Sequence, residues 1–547
     1  MHVDSATIKR GNKTYTRHLL RTSYREDGKV KKKTLLNLSG CSNDEIAALK
    51  LALKHKKNLA SLASLDNMET VLGKRIGAVW ALNVVAERLG ISKAIGSDLD
   101  GRTALLQVIA RVIDQGSRLS AVRFAKRHAV CEILGIEKLD EGDLYSNLTW
   151  LAEHQEHIEK KLFKLRFKEV VPTLFLYDVT SSYLEGTCNE FANWGYNRDK
   201  KTGKMQIVVG LLTGPDGQPV AVRVFEGNTA DTKTVAEQIR ILAKSFEVKN
   251  VTLVGDRGML KGPQIDALPD DFRYVTAISK PQIQKMLSEG IFQMELFSDK
   301  VCEIESDSLR YVLRCNPIRK QQIADNRESK LASILKTAEE RTKYLAEHPG
   351  ANVNKAVVKV TSKIKKLKAD KWLTATEHDR IISIEKDEEA HSQVSLLDGC
   401  YVIKSDVSSK DADSQTLHDR YCDLEMVERS FRTMKTTHLD LRPVFVKKKT
   451  STQGHAFVVM LALVLQREFE RCWCDLDTTV EEGIDELAAI HMQEIRLDDV
   501  CIQDIPTPNK TGRQLLKNLD VQLPSALPWR HANVHTTKKL PSERKRS

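Results

Sequence analysis

Residues 174–178, LFLYD, followed at once by Val179-Thr180-Ser181-Ser182, constrain the fold more than any other stretch. A short, largely apolar run bounded by polar residues fits a strand buried on both faces. A carboxylate at the end of such a strand is costly to bury unless a positive group sits beside it. An isolated Asp in this position is more often a turn or cap residue. Asp178 is not isolated, because the downstream chain supplies further acids in a matching arrangement.

A polar loop, 185–204, contains Trp194-Gly195-Tyr196-Asn197-Arg198. Two strand-like runs come next, 205–213 and 218–226, joined by the hairpin signal Gly214-Pro215-Asp216-Gly217. Asn228-Thr229-Ala230-Asp231 offers N-caps for a helix to about Phe246. Residues 251–255 read as another buried strand, ending in Asp256-Arg257-Gly258. The order β-β-β-α-β, with carboxylates on the first and fourth strands, is that of a ribonuclease H-like core. In that core the two strands are neighbours, about 4.8 Å apart. Asp178 and Asp256 are then placed to share a divalent ion.

Residues 274–278 extend the core pattern, which then breaks off. Residues 297–316 look like strands and 320–348 like a charged helix. Pro349-Gly350 ends that helix, and Val353, Val357, Val360, Ile364 and Leu367 mark a second with a coiled-coil-like seam. Strands return at 380–385 and 399–404, the latter rejoining the core. In 421–435 the apolar stripe is Leu424, Val427, Phe431 and Met434. At 100° per residue, Tyr421, Glu428 and Lys435 fall along one edge of it. An acid and a base two turns apart are usually a surface pair; after two strand-borne aspartates, Glu428 reads as a third metal ligand. Glu425, the decoy, falls further round, beside Arg429.

Net charge is +11, and its placement is uneven. Residues 1–62 hold 14 Lys/Arg against 5 Asp/Glu. Alternating residues in 7–38, around the turn signals Gly11-Asn12 and Asp27-Gly28, predict a small basic β-sheet. A helix capped by Asn43 or Asp44 follows, and 71–166 is mostly helical. A basic arm on a near-neutral body points to nucleic acid, although Lys31-Lys32-Lys33 alone is equally a solvated surface. Ten scattered cysteines without a CxxC pair argue for a reducing cytoplasm. The longest apolar run, 456–465, is too short to span a bilayer.

These residues together resemble the DDE transposases of bacterial insertion sequences. Asp178, Asp256 and Glu428 resemble their triad, and YCDLEMVERSFRTMK, 421–435, is similar to their YREK box. Phe431-Arg432 fits the box, whereas Leu424 stands where it normally has Arg. In the family that Arg is expected to help hold DNA, so either its role passes to Arg420, Arg429 or Arg432 or this copy is weakened. YDVTSSYLEG, GNTADTKT and GDRGML, with His455 opening a long apolar helix, match the subgroup with a large insertion before the Glu.

The resemblance implies an α/β ribonuclease H-like catalytic core interrupted by a large α+β insertion. A small basic β-sheet and a helical N-terminal region precede it. The expected domains are 1–62, a basic arm; 63–166, helices for DNA binding or dimerisation; and 167–285, the first part of the core. The insertion is 286–398, the second part of the core 399–475, and the tail 476–547.

The implied activity is cutting of element ends and joining to target DNA. Two Mg²⁺ ions, with Mn²⁺ as an alternative, would be held by Asp178, Asp256 and Glu428. The expected DNA contacts are Tyr421, Lys435, Arg432, Lys31, Lys32 and Lys33. Expected partners are terminal inverted repeats, target DNA and a second copy of the chain, at the nucleoid in the cytoplasm and not at a membrane. Two alternatives stay open: a nuclease or resolvase of the same fold without strand transfer, and an inactive, domesticated DNA-binding protein.

Overall fold

The computed structural model describes residues 1–10, 13–26, 28–56, 68–186, 188–199, 201–435, 439–443, 445–497, 500–525, 527 and 532–535. Gly11-Asn12, Asp27 and the terminal Arg544-Lys545-Arg546 lie outside the described residues. The chain forms two compact units: 1–75 with 490–507 and 524–527, and 76–489 with 508–523 and 528–547.

In the first unit, His2–Arg10, Lys13–Glu26 and Lys29–Asn37 form an antiparallel meander. The helix Asn43–Lys54 is capped by Ser42, not by Asn43 or Asp44. Ser42 and Glu45 make a reciprocal capping box, which satisfies two amide donors at the helix start. A second sheet places His491–Leu497 between Met68–Arg75 and Val500–Asp504. The helical reading of residues from 71 onward thus starts too early: Met68–Arg75 is a strand whose partner comes more than 400 residues later.

The second unit is built on one large mixed sheet. Its elements in chain order are α1 (Glu141–Arg166), β1 (Leu174–Tyr183), β2 (Gln206–Thr213), β3 (Pro219–Glu226), α2 (Asp231–Arg240), β4 (Thr252–Gly255) and β5 (Arg273–Ala277). There follow β6 (Cys302–Ser306), β7 (Leu309–Cys315), β8 (Cys400–Ser405), α3 (Leu424–Lys435) and α4 (Lys449–Cys472). The sheet order is β6-β7-β8-β5-β4-β1-β2-β3. Only β1/β4 and β4/β5 are parallel; every other pair is antiparallel. β1 and β4 are neighbours, and β8 returns to the edge of β5.

The apolar runs become strands because both faces of the sheet are covered. Every residue of β2 is buried. Phe163 of α1 packs with Phe175 and Tyr177 of β1, Leu253 of β4 and Val235 of α2 in one core cluster. α4 is buried throughout 456–465 and packs against α1 and β3. Among the described residues, no helix is long and apolar enough to cross a membrane.

β6 and β7 extend this same sheet through β8. Between β7 and β8 stand two helices, Pro317–Glu347 and Val353–Lys366, then the hairpin Leu373–His378/Ile381–Lys386. Val360 and Ile364 are buried against Ile334, Ala338 and Leu345, with Val353, Val357 and Leu367 packed around them.

Candidate active site

β1 does not end at Asp178. It runs on to Tyr183, because β2 pairs with it as far as Tyr183↔Gln206. On its other side β4 stops, with Gly255 opposite Tyr177. Asp178 is therefore the first position beyond the end of β4, and Asp256 is the residue that leaves it. In-register neighbours in a parallel pair point to the same face, about 4.8 Å apart. The end of a short strand thus brings together two carboxylates that are 78 positions apart in sequence.

The third carboxylate arrives on α3. Residues 414–435 are two helices, Ser414–Cys422 and α3, separated at Asp423. Tyr421 thus lies on a different helix from Glu428 and Lys435. The break follows from Asp423, a residue type that favours helix ends over interiors and that here ion-pairs Arg420 at 3.2 Å. Even so, the Tyr421 hydroxyl donates to Asp256 Oδ1 at 3.3 Å. Leu424, Val427, Phe431 and Met434 are buried as the apolar stripe implies. Leu424, in the position of the box Arg, is a core contact.

Asp178, Asp256 and Glu428 line one cavity of about 1040 Å³, together with Arg198, Arg432, Lys435 and Arg442. Glu425 does not line it. The cavity holds five carboxylates, since Asp199 and Asp231 also reach it. Asp199 is neutralised by Lys435, at 2.5 Å, and Asp231 by Arg198, at 2.6 Å. Among the described residues, none of Asp178, Asp256 and Glu428 has an ion-pair partner. Burial raises the Asp178 carboxyl to about 7, helped by the negative charges of Asp256 and Glu428. The Val179 amide and Arg198 oppose that rise. The Tyr421 phenol is pushed up by burial and by Asp256.

The donor set consists of hard oxygens, which suits a divalent cation such as Mg²⁺. The three carboxylates line the cavity without converging: among the described residues, no three His, Cys, Asp or Glu side chains are grouped closely enough to hold a metal.

The expected DNA contacts are distributed unevenly. Arg432 is exposed and faces the cavity. Arg420 pairs with Asp423, and Arg429 pairs with Glu470 of α4 at 2.8 Å, not with Glu425. Of the three arginines that could replace the missing box Arg, Arg432 alone lines the cavity. The Lys435 ammonium is held by Asp199 and by Thr180 Oγ1 at 3.1 Å. Lys31, Lys32 and Lys33 lie on one strand of the first unit, where residues alternate between faces. Lys31 and Lys33 share a face, and Lys32 is on the other. His455 is fully buried, with its Nδ1 3.3 Å from Arg118, and burial lowers its basicity strongly. It is a packing residue.

Sequence reading missed Thr180, Tyr183, Arg198, Asp199, Asp231 and Arg442 in the cavity wall. Asp231 looked like a helix cap; Ala230 occupies that position and the Asp231 carboxylate turns to Arg198. Arg198 also donates its amide to Ser181 Oγ at 2.8 Å, which fastens the polar loop to β1.

A family model described as a transposase DDE domain matches residues 170–465. A second, the IS1634 family transposase N-terminal domain, matches residues 4–70. No curated protein matches the chain. Among solved structures, a cryo-EM structure of a piggyBac transposase synaptic complex with hairpin DNA is similar at 8% identity, over 72% of this chain and 70% of that one. Its TM-score of 0.36 is too low to bear on what this chain does.

Proposed function

The chain belongs to the transposase DDE domain family, and from that premise we propose that Asp178, Asp256 and Glu428 are its catalytic carboxylates. The protein is an insertion-sequence transposase, an enzyme that cleaves DNA and transfers the strand. One observation carries the assignment: of five carboxylates in the cavity, two are neutralised by cations and these three are not.

Burial is the main cause of the raised Asp178 carboxyl, and the neighbouring charges of Asp256 and Glu428 add to it. Divalent cations, Mg²⁺ or Mn²⁺, would be held by Asp178, Asp256 and Glu428 and would supply charge neutralisation at the phosphoryl group. Tyr421 orients Asp256 through its hydroxyl. Arg432, exposed on the cavity wall, supplies positive charge for backbone phosphates, whereas Arg442 is held by Asp440 and the Tyr183 hydroxyl. Lys435 fixes Asp199 to β1 at Thr180 and so shapes the wall next to Asp178.

The strand order β3-β2-β1-β4-β5 supports reading the core as ribonuclease H-like, with 286–398 as its insertion. We read 1–62 as the DNA-binding arm, the substrates as terminal inverted repeats and target DNA, and the active species as a homodimer at the cytoplasmic nucleoid.

The test is Glu428→Gln beside Glu425→Gln, with DNA cleavage and strand transfer both read and thermal melting as the folding control. Both glutamates are exposed on α3, so neither change should alter melting. Loss of outer partners of a metal site already costs about 10–100-fold, so Glu428→Gln should lose more than about 100-fold in both reactions. Glu425→Gln should remain active. The reverse pattern sinks the assignment. A wild-type protein that cuts without joining is a nuclease, and one that does neither is the inactive binding protein.

A further inference from the structure

The helix Val353–Lys366 has two faces with different business. One buries Ala356, Val360 and Ile364 against the longer helix Pro317–Glu347. With Lys355 at 0° and 100° per residue, Lys366 falls at about 20° and Lys359 at about 40°. Lys355, Lys359 and Lys366 are exposed, with exposed Ser362 between them. At 1.5 Å per residue they form a line about 16 Å long.

Two features separate this line from an ordinary solvated surface. The helix contains no acidic residue, whereas Pro317–Glu347 mixes Asp325, Glu328, Glu339, Glu340 and Glu347 with its bases. Surface helices usually intersperse the two signs, because like charges at i,i+4 destabilise a helix. Lys355 and Lys359 form such a pair. Moreover, Lys363 shows what a lysine does here when the fold uses it: its ammonium donates to Ser333 O and Thr337 Oγ1, at 2.6 and 2.5 Å. Among the described residues, the ammonium groups of Lys355, Lys359 and Lys366 make no hydrogen bond or ion pair, and none of the three lines the catalytic cavity.

We propose that the Lys355–Lys359–Lys366 face binds the phosphate backbone of duplex DNA, as a surface separate from the catalytic cavity. Charge complementarity selects the occupant. Duplex DNA carries one negative charge per about 1.7 Å of axis, a dense and regular line of phosphates. A row of three ammoniums without an apolar groove or a directional acceptor reads backbone charge, not sequence. An acidic peptide would need side-chain pockets, and this face offers a single exposed apolar residue, Val358.

The test uses the full chain and the triple substitution Lys355→Gln, Lys359→Gln, Lys366→Gln. Binding to a random-sequence duplex is measured across a salt series, with thermal melting alongside. Each phosphate contact contributes about 0.9 to the slope of log affinity against log salt. Three lost contacts should reduce the slope by about 2.7. Between 50 and 200 mM salt, the variant's affinity would then fall about 40-fold less than the wild type's. Melting should be unchanged, because the buried face of the helix is untouched. Failure of the catalytic reading would show in cleavage by the carboxylate variants, not here. An unchanged slope overturns the proposal, and so does a slope that falls only with a drop in melting temperature. Retained DNA slope with loss of an acidic protein partner overturns it as well.

Discussion

Replacing Asp178 by Asn should stabilise the metal-free protein while abolishing its activity. The Asp178 carboxyl stands at about 7 in the folded chain, against 3.8 for an ordinary Asp. The folded protein therefore holds that proton more tightly than the unfolded chain does. Between those two values the unfolded state releases the proton first, so stability falls as pH rises from about 4 to about 7. Above pH 7 the penalty is complete, and the gap corresponds to about 4 kcal/mol. Asp178 is half-buried on the cavity wall, so solvent screening makes this an upper bound.

Asn keeps the shape and cannot ionise, so the variant escapes the penalty. Melting curves in a chelating buffer should show no gain near pH 4 and a growing gain up to pH 7. A plateau comes next, at a few degrees for a cooperative unit this large. Millimolar Mg²⁺ should narrow the gap by stabilising wild type alone. A variant less stable than wild type at pH 8, or a gain independent of pH, would refute burial and neighbouring charge as the origin of the raised carboxyl.

If the N-terminal meander docks on DNA by one face, Lys31→Ala with Lys33→Ala should lower the salt slope of binding by up to about 1.8, and Lys32→Ala should not, or the reverse. Equal effects from all three would rule out docking by a single face. In the core sheet, a Cβ at Gly210 would collide with the Tyr177 hydroxyl. Gly210→Ala should thus cost about 1–3 kcal/mol in denaturant unfolding. Adding Tyr177→Phe should recover part of that loss, whereas purely additive losses would locate the strain elsewhere.

What the sequence reveals and what it hides differ by the origin of the stabilising partner. The runs that became β1, β2, β3 and β4 are legible because each carries its own apolar content. The continuation of β1 is not: Thr180, Ser181 and Ser182 are buried hydroxyls that read as loop. Thr180 accepts from Lys435, 255 positions away, and Ser181 accepts from the Arg198 amide. For the same reason β6 and β7 are recognisable as strands, but not as members of the core sheet. Their link to it, β8, begins 85 residues after the end of β7. Met68–Arg75 is a still longer case, since its partner His491–Leu497 lies in a stretch whose acidic composition gave no strand signal.

The active site repeats this at the level of charge. Periodicity on α3 separates Glu428 from Glu425, because a helix reports its own geometry. The apolar runs before them single out Asp178 and Asp256, but nothing local shows that Asp199 and Asp231 reach the same cavity or which of its acids are neutralised. The distinction is which cation each one meets. Arg198 comes to Asp231 from the polar loop, and Lys435 comes to Asp199 from the last turn of α3. Those two ion pairs neutralise two of the cavity's acids and leave Asp178, Asp256 and Glu428 without an ion-pair partner among the described residues. On the proposed assignment, the arginine and lysine that neutralise Asp231 and Asp199 define the centre as much as the carboxylates that remain. Removing Lys435 should therefore perturb the site by freeing Asp199 as a fourth acid, rather than only by losing a phosphate contact.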